Sequence, residues 1–209
     1  MNVLLRPPGE VNRRLLACVV LLLLVSSGGL VLLAGAAMPE PYSWRSHSIS
    51  ESAAQGLHKA WIARLSFLCF GAAVLILSIV KRQDWARACY GMQLVFAVCM
   101  LATAAFSHKP WLPGVAVDSF EDLLHSITAS AMGFAFCFGV VARFLQRAHT
   151  QLAQRTFDVV ALLLATVMSP LAVMFPSDGG LVQRAMFAVA YVWFATEALS
   201  GAGQRAWSP

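Results

Sequence analysis

The chain has 209 residues, of which 59% are hydrophobic and 12% are charged. Ordinary soluble domains carry about 25% charged residues, so this composition excludes a water-soluble globular protein. The 15 basic and 10 acidic residues cluster between apolar stretches of about 20 residues, the length that crosses about 30 Å of hydrocarbon in a helix. Composition and pattern together predict an all-α polytopic membrane protein.

Six apolar segments predict six transmembrane helices. They cover residues 15–37, 60–80, 87–106, 125–145, 157–175 and 182–201. The expected organisation is a basic tail at 1–14, a membrane domain at 15–201 and a second tail at 202–209. Each odd-numbered segment ends in a proline-containing connection, which favours three antiparallel helical hairpins. The longest connections, 38–59 and 107–124, are too short for a separate folded domain.

The basic residues predict that both termini lie in the cytoplasm, because cytoplasmic connections carry an excess of Lys and Arg. The face that holds the termini carries ten of them: Arg6, Arg13, Arg14, Lys81, Arg82, Arg87, Arg143, Arg147, Arg155 and Arg205. The opposite face carries Arg45, Lys59, Arg64, Lys109 and Arg184. This distribution indicates a membrane topology and an attraction to anionic lipid, and not nucleic-acid binding. An inner-membrane location is the expectation.

The start of the chain has an alternative interpretation, because Ala34-Gly35-Ala36 after an apolar run resembles a signal-peptide cleavage site. The run over 15–37 is longer than the about 7 to 15 residues of a signal core, which favours an uncleaved anchor.

The centre of each segment is uncharged, which argues against a proton-coupled transporter, because such proteins use an acid at the membrane midplane. Arg143, Asp158 and Glu197 lie near the cytoplasmic boundary and are expected to extend to the interface. The exterior face, in contrast, carries four of the five histidines: His47, His58, His108 and His125.

A candidate metal site lies among these exterior residues. Glu121 and Asp122 precede His125 by four and three positions, which places them on one face of a helix. A carboxylate beside an imidazole orients a metal ligand or a general base. Acids in a first turn also stabilise a helix N-terminus, which is the favoured interpretation. The candidate zinc ligands are His58, His108, His125 and Asp122, although absence of a cofactor is the favoured expectation and no His-Glu-x-x-His motif is present.

A second candidate site combines acids and arginines at the exterior boundary: Glu51, Arg64, Asp178 and Arg184. Arginine suits bidentate contacts with carboxylate or phosphate, so this set is a candidate ligand site. Pairing of Arg184 with Glu51 or Asp178 would instead join the exterior connections. Both interpretations remain open at this point.

Three stretches carry a resemblance to a known family. They are Tyr42 to Glu51, including Ser48-Ile49-Ser50-Glu51; the segment from Pro113 and Asp118 to His125; and Gly180-Leu181-Val182-Gln183-Arg184 with Trp193. On these residues the chain resembles the bacterial family catalogued as domain of unknown function 998, compact membrane proteins of about six helices. The family's Phe-Pro-x-Asp-like turn stands elsewhere here, at Phe175-Pro176-Ser177-Asp178, so no aspartate role is carried over. The resemblance implies a fold and a location but no activity.

Two functions from different classes follow. The favoured one is an integral inner-membrane protein whose polar exterior surface binds a lipid headgroup, a small amphiphile or a partner protein. The alternative is a membrane-embedded metal-dependent hydrolase with a His/Asp site at the same boundary. Whether the protein is an enzyme stays open, and a transporter is the least favoured class.

Overall fold

The computed structural model describes residues 8–200, with side chains from Arg13 onward. This part of the chain forms six long helices: α1 (Pro8–Ala36), α2 (Ala60–Val80), α3 (Arg87–Ala105), α4 (Ser119–Gln146), α5 (Leu152–Met174) and α6 (Gly179–Leu199). Short 3-10 turns lie at Ser50–Ala53 and Pro176–Asp178, and there is no strand between residues 8 and 200. Of the predicted tails, residues 1–7 and 202–209 lie outside the described residues.

Five of the helices, α1 to α5, are long and apolar enough to cross a membrane. The sixth, α6, is not among them, and it carries Arg184 and Glu197. Large apolar side chains such as Val25, Phe134 and Val173 are exposed on the helix surfaces, where hydrocarbon rather than water suits them. The prediction of an all-α, multi-pass membrane protein is confirmed. The six crossings, the three hairpins and the orientation of the termini stay predictions.

The start of α4 differs from the predicted boundary at residue 125. Asp118 caps the helix, since its Oδ1 accepts hydrogen bonds from the main-chain nitrogens of Phe120 and Glu121 at 3.0 Å each. A side-chain oxygen at this position satisfies amide groups that the helix itself leaves without partners. The helix therefore begins at Ser119, ahead of its apolar segment, and His125 lies within it.

The connections between helices meet at two ends of the bundle. The cap end holds residues 37–59, 106–118 and 175–178, joined for example by a 2.9 Å hydrogen bond from Gln55 N to His108 O. The terminal end holds residues 81–86 and 147–151 with the start of α1 and the end of α6. Its segments are joined by a 2.9 Å hydrogen bond from Ala86 N to Gln146 Oε1.

Aromatic rings from four helices form the centre of the core. Phe194 of α6 lies 5.8 Å from Phe70 of α2, 5.0 Å from Phe96 of α3 and 5.9 Å from Phe136 of α4, measured between ring centroids. Trp193 packs edge-on to Phe136, with 5.7 Å between the ring centroids. Trp193 and Phe194 are both fully buried. Helix α6 thus presents an aromatic face to the centre of the bundle, which fixes the positions of the polar groups at its two ends, Arg184 and Glu197.

Candidate functional site

Two arginines and two carboxylates form a buried network at the terminal end, the terminal-end network of Arg143, Arg147, Asp158 and Glu197. Arg147 Nε lies 2.5 Å from Asp158 Oδ2, and Arg147 Nη2 also donates to Glu197 Oε1. Arg143 Nε donates to Glu197 Oε2 at 3.1 Å. Asp158 and Glu197 are each 1% exposed. The expectation that Arg143, Asp158 and Glu197 extend to the interface is wrong, because they turn inward and pair.

Two tryptophans complete the terminal-end network. Trp85 Nε1 donates to Glu197 Oε2, and Trp193 Nε1 donates to Asp158 Oδ1, both at 2.9 Å. All four carboxylate oxygens therefore accept a hydrogen bond, and two positive charges balance two negative ones. A fully satisfied network of this kind joins α4, α5, α6 and the 81–86 connection, and it leaves no carboxylate oxygen without a partner for a ligand to approach.

Arg184 organises the cap end by bonding to main-chain carbonyls. Its Nη1 donates at 2.9 Å to the carbonyl oxygens of Trp44, His47 and Gly180, and its Nη2 donates to Tyr42 Oη at 2.8 Å. The guanidinium also lies over the Trp44 ring, 4.9 Å from its centroid. Arg184 thereby fixes the conformation of the 37–59 connection against the start of α6.

The two acids predicted beside Arg184 have other partners. Glu51 Oε2 accepts from Ser48 N at 2.6 Å, while Ser48 Oγ accepts from Glu51 N at 3.1 Å, a reciprocal capping arrangement. Asp178 Oδ1 lies 2.5 Å from Arg45 Nε, and this hydrogen bond from Arg45 holds the pKa of Asp178 below its usual value. The structure places Glu51, Asp178 and Arg184 in the same cap end without a direct ion pair between them, and each already has partners within the protein.

Arg64, the fourth predicted ligand-binding residue, lies at a different corner of the cap end. Its Nη2 donates to Ser107 Oγ, and its Nε is buried and has no hydrogen-bond partner in the described chain. The neighbouring residue, Phe106, offers its carbonyl oxygen to His125 Nδ1 at 2.9 Å. The dipeptide Phe106-Ser107 therefore ties Arg64 of α2 and His125 of α4 to one point of the chain. We call Arg64, Ser107, His108 and His125 the Arg64–His125 corner.

The hydrogen bond to Phe106 determines the tautomer of His125. A carbonyl oxygen only accepts, so Nδ1 carries the proton, and the neutral ring then presents a lone pair at Nε2. His125 is 2% exposed, and its Nε2 has no partner in the described chain. The corner thus contains one buried donor, Arg64 Nε–H, and one buried acceptor, His125 Nε2, both without partners.

The predicted metal ligands surround this corner only in part. The His108 ring lies 5.4 Å from the His125 ring, edge to face. Asp122 Oδ1 accepts from Lys109 N at 2.7 Å, and Glu121 Oε1 accepts from Ser107 N at 2.8 Å, so both acids satisfy main-chain amides. The exposed side chain of His58 forms no hydrogen bond in the described chain. Within residues 13–200 no group of three or more His, Cys, Asp or Glu side chains is arranged to hold a metal ion.

Comparison with known proteins gives one finding about the chain as a whole. The model of the family described as "Protein of unknown function (DUF998)" matches residues 16–200. No curated protein matches the chain, and no solved structure matches it. The family match covers all six helices apart from the first residues of α1. The chain therefore belongs to the DUF998 family.

Proposed function

We propose that the protein binds the polar headgroup of a lipid or a small amphiphile at the Arg64–His125 corner. The observation that carries this proposal is the pair of buried nitrogens without partners, Arg64 Nε and His125 Nε2. A buried polar atom without a hydrogen bond costs about 1–3 kcal/mol. A ligand that supplies partners to both atoms recovers that cost, whereas a purely structural role for these residues leaves it unexplained.

The chemistry of the two nitrogens defines the ligand. Arg64 Nε–H donates, which suits an anionic oxygen, and guanidinium groups recognise phosphate and carboxylate well. Neutral His125 accepts at Nε2, which suits a hydroxyl or an acid O–H. A headgroup with an anionic oxygen next to an O–H group, such as a phosphate monoester or a phosphoglycerol group, carries a chemically suitable partner for each atom.

The topology favoured by the basic residues completes the proposal. Six crossings with both termini in the cytoplasm of a bacterial cell place the Arg64–His125 corner at the exterior boundary of the inner membrane. A membrane-impermeant thiol reagent added to intact cells is then expected to label Lys109→Cys and not His149→Cys. Labelling of His149→Cys and not of Lys109→Cys would show the opposite orientation.

The test is a binding titration with glycerol phosphate as the probe. The purified full-length protein in detergent is compared with His125→Asn and Arg64→Gln by isothermal titration calorimetry. The asparagine amide stands close to the position of Nδ1, so it keeps a donor for Phe106 and removes only Nε2. We expect each variant to bind the probe at least about tenfold more weakly, the effect of losing about 1.4 kcal/mol.

His58→Asn is the matched control, because it makes the same chemical change at an exposed histidine of the same cap end. It is expected to bind as the wild type does. Equal binding by wild type and His125→Asn, or equal losses in His58→Asn and His125→Asn, would contradict a site at this corner. Thermal unfolding midpoints within a few degrees of the wild type show that the variants have kept their fold.

A metal-dependent hydrolase is the second candidate at the same corner. It is favoured by one observation: His125 bonds through Nδ1 to a main-chain carbonyl and keeps Nε2 available, the arrangement that orients a histidine ligand of zinc. The ring of His108 lies next to it, and Asp122 and His58 are the further candidates from the same end. Elemental analysis of protein purified without chelators tests this idea. One equivalent of zinc that His125→Asn abolishes supports it, and zinc far below one equivalent rejects it.

A further inference from the structure

A cleft opens at the terminal end between α1, α2 and α6, at the other end of the bundle from the Arg64–His125 corner. Its lining is mostly apolar and includes Leu16, Ala17 and Val20 of α1 and Leu77 of α2. Three ionisable residues also line it: Arg13 in the first part of α1, and Lys81 and Asp84 in the 81–86 connection that follows α2. The cleft therefore has an apolar wall with charged groups at one end.

The cationic groups of this cleft are incompletely paired within the described chain. Lys81 is 5% exposed, and its Nζ forms one long hydrogen bond, 3.4 Å to Ser200 Oγ. Burial lowers the pKa of Lys81, as is usual for a lysine removed from water. Arg13 Nη1 lies 3.6 Å from Asp84 Oδ2. Glu197 also acts on Lys81 electrostatically, but it already pairs with Arg143 and Arg147. Arg13 and Lys81 thus have Asp84 as their remaining carboxylate, and the Lys81 ammonium group has donors left for an anionic partner.

We propose that an anionic phospholipid occupies this cleft, with its phosphate between Lys81 and Arg13 and the first carbons of one acyl chain against Leu16, Val20 and Leu77. One phosphate balances the excess positive charge and accepts hydrogen bonds from both side chains. The apolar wall distinguishes a lipid from a soluble anion, since a free phosphate would leave this wall facing water.

The cleft is a shallow groove with an enclosed volume of only about 20 Å³, room for about one water molecule. The lipid therefore lies along the groove, with its phosphate at the charged end and most of the molecule in the surrounding bilayer. The site is independent of the Arg64–His125 corner, because no residue is shared between them.

The experiment measures retention of added lipid by the full-length protein. Dioleoyl phosphatidylglycerol or dioleoyl phosphatidylcholine is titrated into detergent-purified protein, and bound lipid is counted by native mass spectrometry. We expect phosphatidylglycerol to bind the wild type more tightly than phosphatidylcholine. Lys81→Met is expected to weaken phosphatidylglycerol binding about fivefold, the effect of one basic residue near an anionic lipid surface. Ala17→Phe, which fills the cleft and keeps every charge, is expected to weaken it at least as much.

Arg82→Met is the matched control, because it removes one positive charge from the adjacent, exposed residue outside the cleft lining. It is expected to bind as the wild type does. All of these proteins are compared in a His125→Asn background, so that phosphatidylglycerol bound at the cap end does not enter the count. Equal affinity for the two lipids, wild-type affinity in both Lys81→Met and Ala17→Phe, or an equal loss in Arg82→Met overturns the proposal. Full displacement of the lipid by inorganic phosphate also overturns it, since the cleft would then be a site for a soluble anion.

Discussion

Arg147 at the terminal end and Arg184 at the cap end are both enclosed and hydrogen-bonded, but they have different kinds of partner. Arg147 bonds to the carboxylates of Asp158 and Glu197, which belong to two other helices. Arg184 bonds to three main-chain carbonyls and a tyrosine hydroxyl. The first arrangement neutralises charge and joins helices, whereas the second depends on the exact conformation of a connection. The terminal end is therefore stabilised by ion pairs between side chains, and the cap end by hydrogen bonds that depend on the backbone conformation of a connection.

The two ends also differ in how fully their buried polar atoms are hydrogen-bonded. Five buried side-chain atoms lack a hydrogen bond in the described chain, and three of them, in Arg64, His125 and Arg184, lie at the cap end. The other two belong to Gln93 in α3, and none belongs to the terminal-end network. A function that requires a polar ligand is therefore better served by the cap end, which is the basis of the proposed headgroup site.

The largest effect is expected from Arg147→Met. Within residues 13–200, the substitution removes the one cation that pairs with Asp158 and leaves Glu197 paired with Arg143, inside a buried region. Removing one member of a buried ion pair costs about 3–5 kcal/mol, and we expect the free energy of unfolding to fall by that amount. Titration with sodium dodecyl sulfate in mixed micelles, followed by circular dichroism, measures the change.

Arg155→Met provides the matched control for this comparison. Arg155 donates to the carbonyl oxygens of Phe144 and Arg147 and lies over the Phe144 ring, but it pairs with no carboxylate in the part of the chain whose side chains are described. Its replacement is expected to cost about 1 kcal/mol, the usual net value of such hydrogen bonds. Equal losses in the two variants would show that charge balance does not stabilise the terminal end.

The second-largest loss of stability is expected from Gly180→Ala, which tests the backbone conformation of the cap end. A Cβ atom at Gly180 would lie 2.3 Å from the carbonyl oxygen of His47 and 2.6 Å from that of Trp44. These are main-chain atoms held by Arg184, so they cannot move aside without breaking its hydrogen bonds. We expect Gly180→Ala to lower the free energy of unfolding by about 1–3 kcal/mol, the usual cost of overpacking.

Gly179→Ala is the control for Gly180→Ala, because its Cβ would make only ordinary contacts, the nearest at 3.6 Å. It is expected to leave stability unchanged or to raise it slightly, since alanine restricts the unfolded chain more than glycine does. The two variants are compared by thermal unfolding under the same conditions. A loss in Gly179→Ala as large as that in Gly180→Ala would contradict the contact with the 37–59 connection.

The smallest effect concerns the exposed pair of Arg45 and Asp178, the solvent-facing counterpart of the terminal-end network. Because the pKa of Asp178 is lower in the folded protein than its unfolded value of about 3.9, its contribution to stability is present above pH 4. It is lost as the pH falls through the folded pKa. We expect Arg45→Gln to lower the unfolding midpoint slightly at pH 6, and by less as the pH falls below 4. A difference that grows on acidification would contradict this sign.

The sequence predicts the helices of this protein well, because apolar length is a strong local signal, but it does not predict where a side chain points around a helix. Hydropathy places Arg143, Asp158 and Glu197 at one depth, and depth alone is consistent with extension to the interface. A signal for the network is present: Arg143 in the last turn of α4 and Arg147 directly after that helix are four residues apart, and their number equals that of the acids Asp158 on α5 and Glu197 on α6. This equality predicts pairing better than extension.

The candidate site is predictable only in part. His108, His125 and Arg64 are marked by their position at the cap end, and the structure brings them to one corner. The role of Arg184 leaves no trace in the sequence, since its partners are carbonyl oxygens, which every residue has. The spacing of Glu121 and Asp122 from His125 allows a contact with the imidazole, although stabilisation of the helix N-terminus is the favoured interpretation. In the structure the two acids accept from main-chain amides of the 106–109 connection, and His125 bonds to Phe106.

The order of the terminal-end network along the chain has a consequence for folding. Arg143, Arg147 and Asp158 are synthesised before Glu197, so a partly made chain carries two arginines and one aspartate at this position. Docking of α6 brings Glu197 to these residues and, through the indole of Trp85, joins the 81–86 connection to it. A folding intermediate in which α6 has not docked therefore has an unbalanced positive charge that the folded protein does not have.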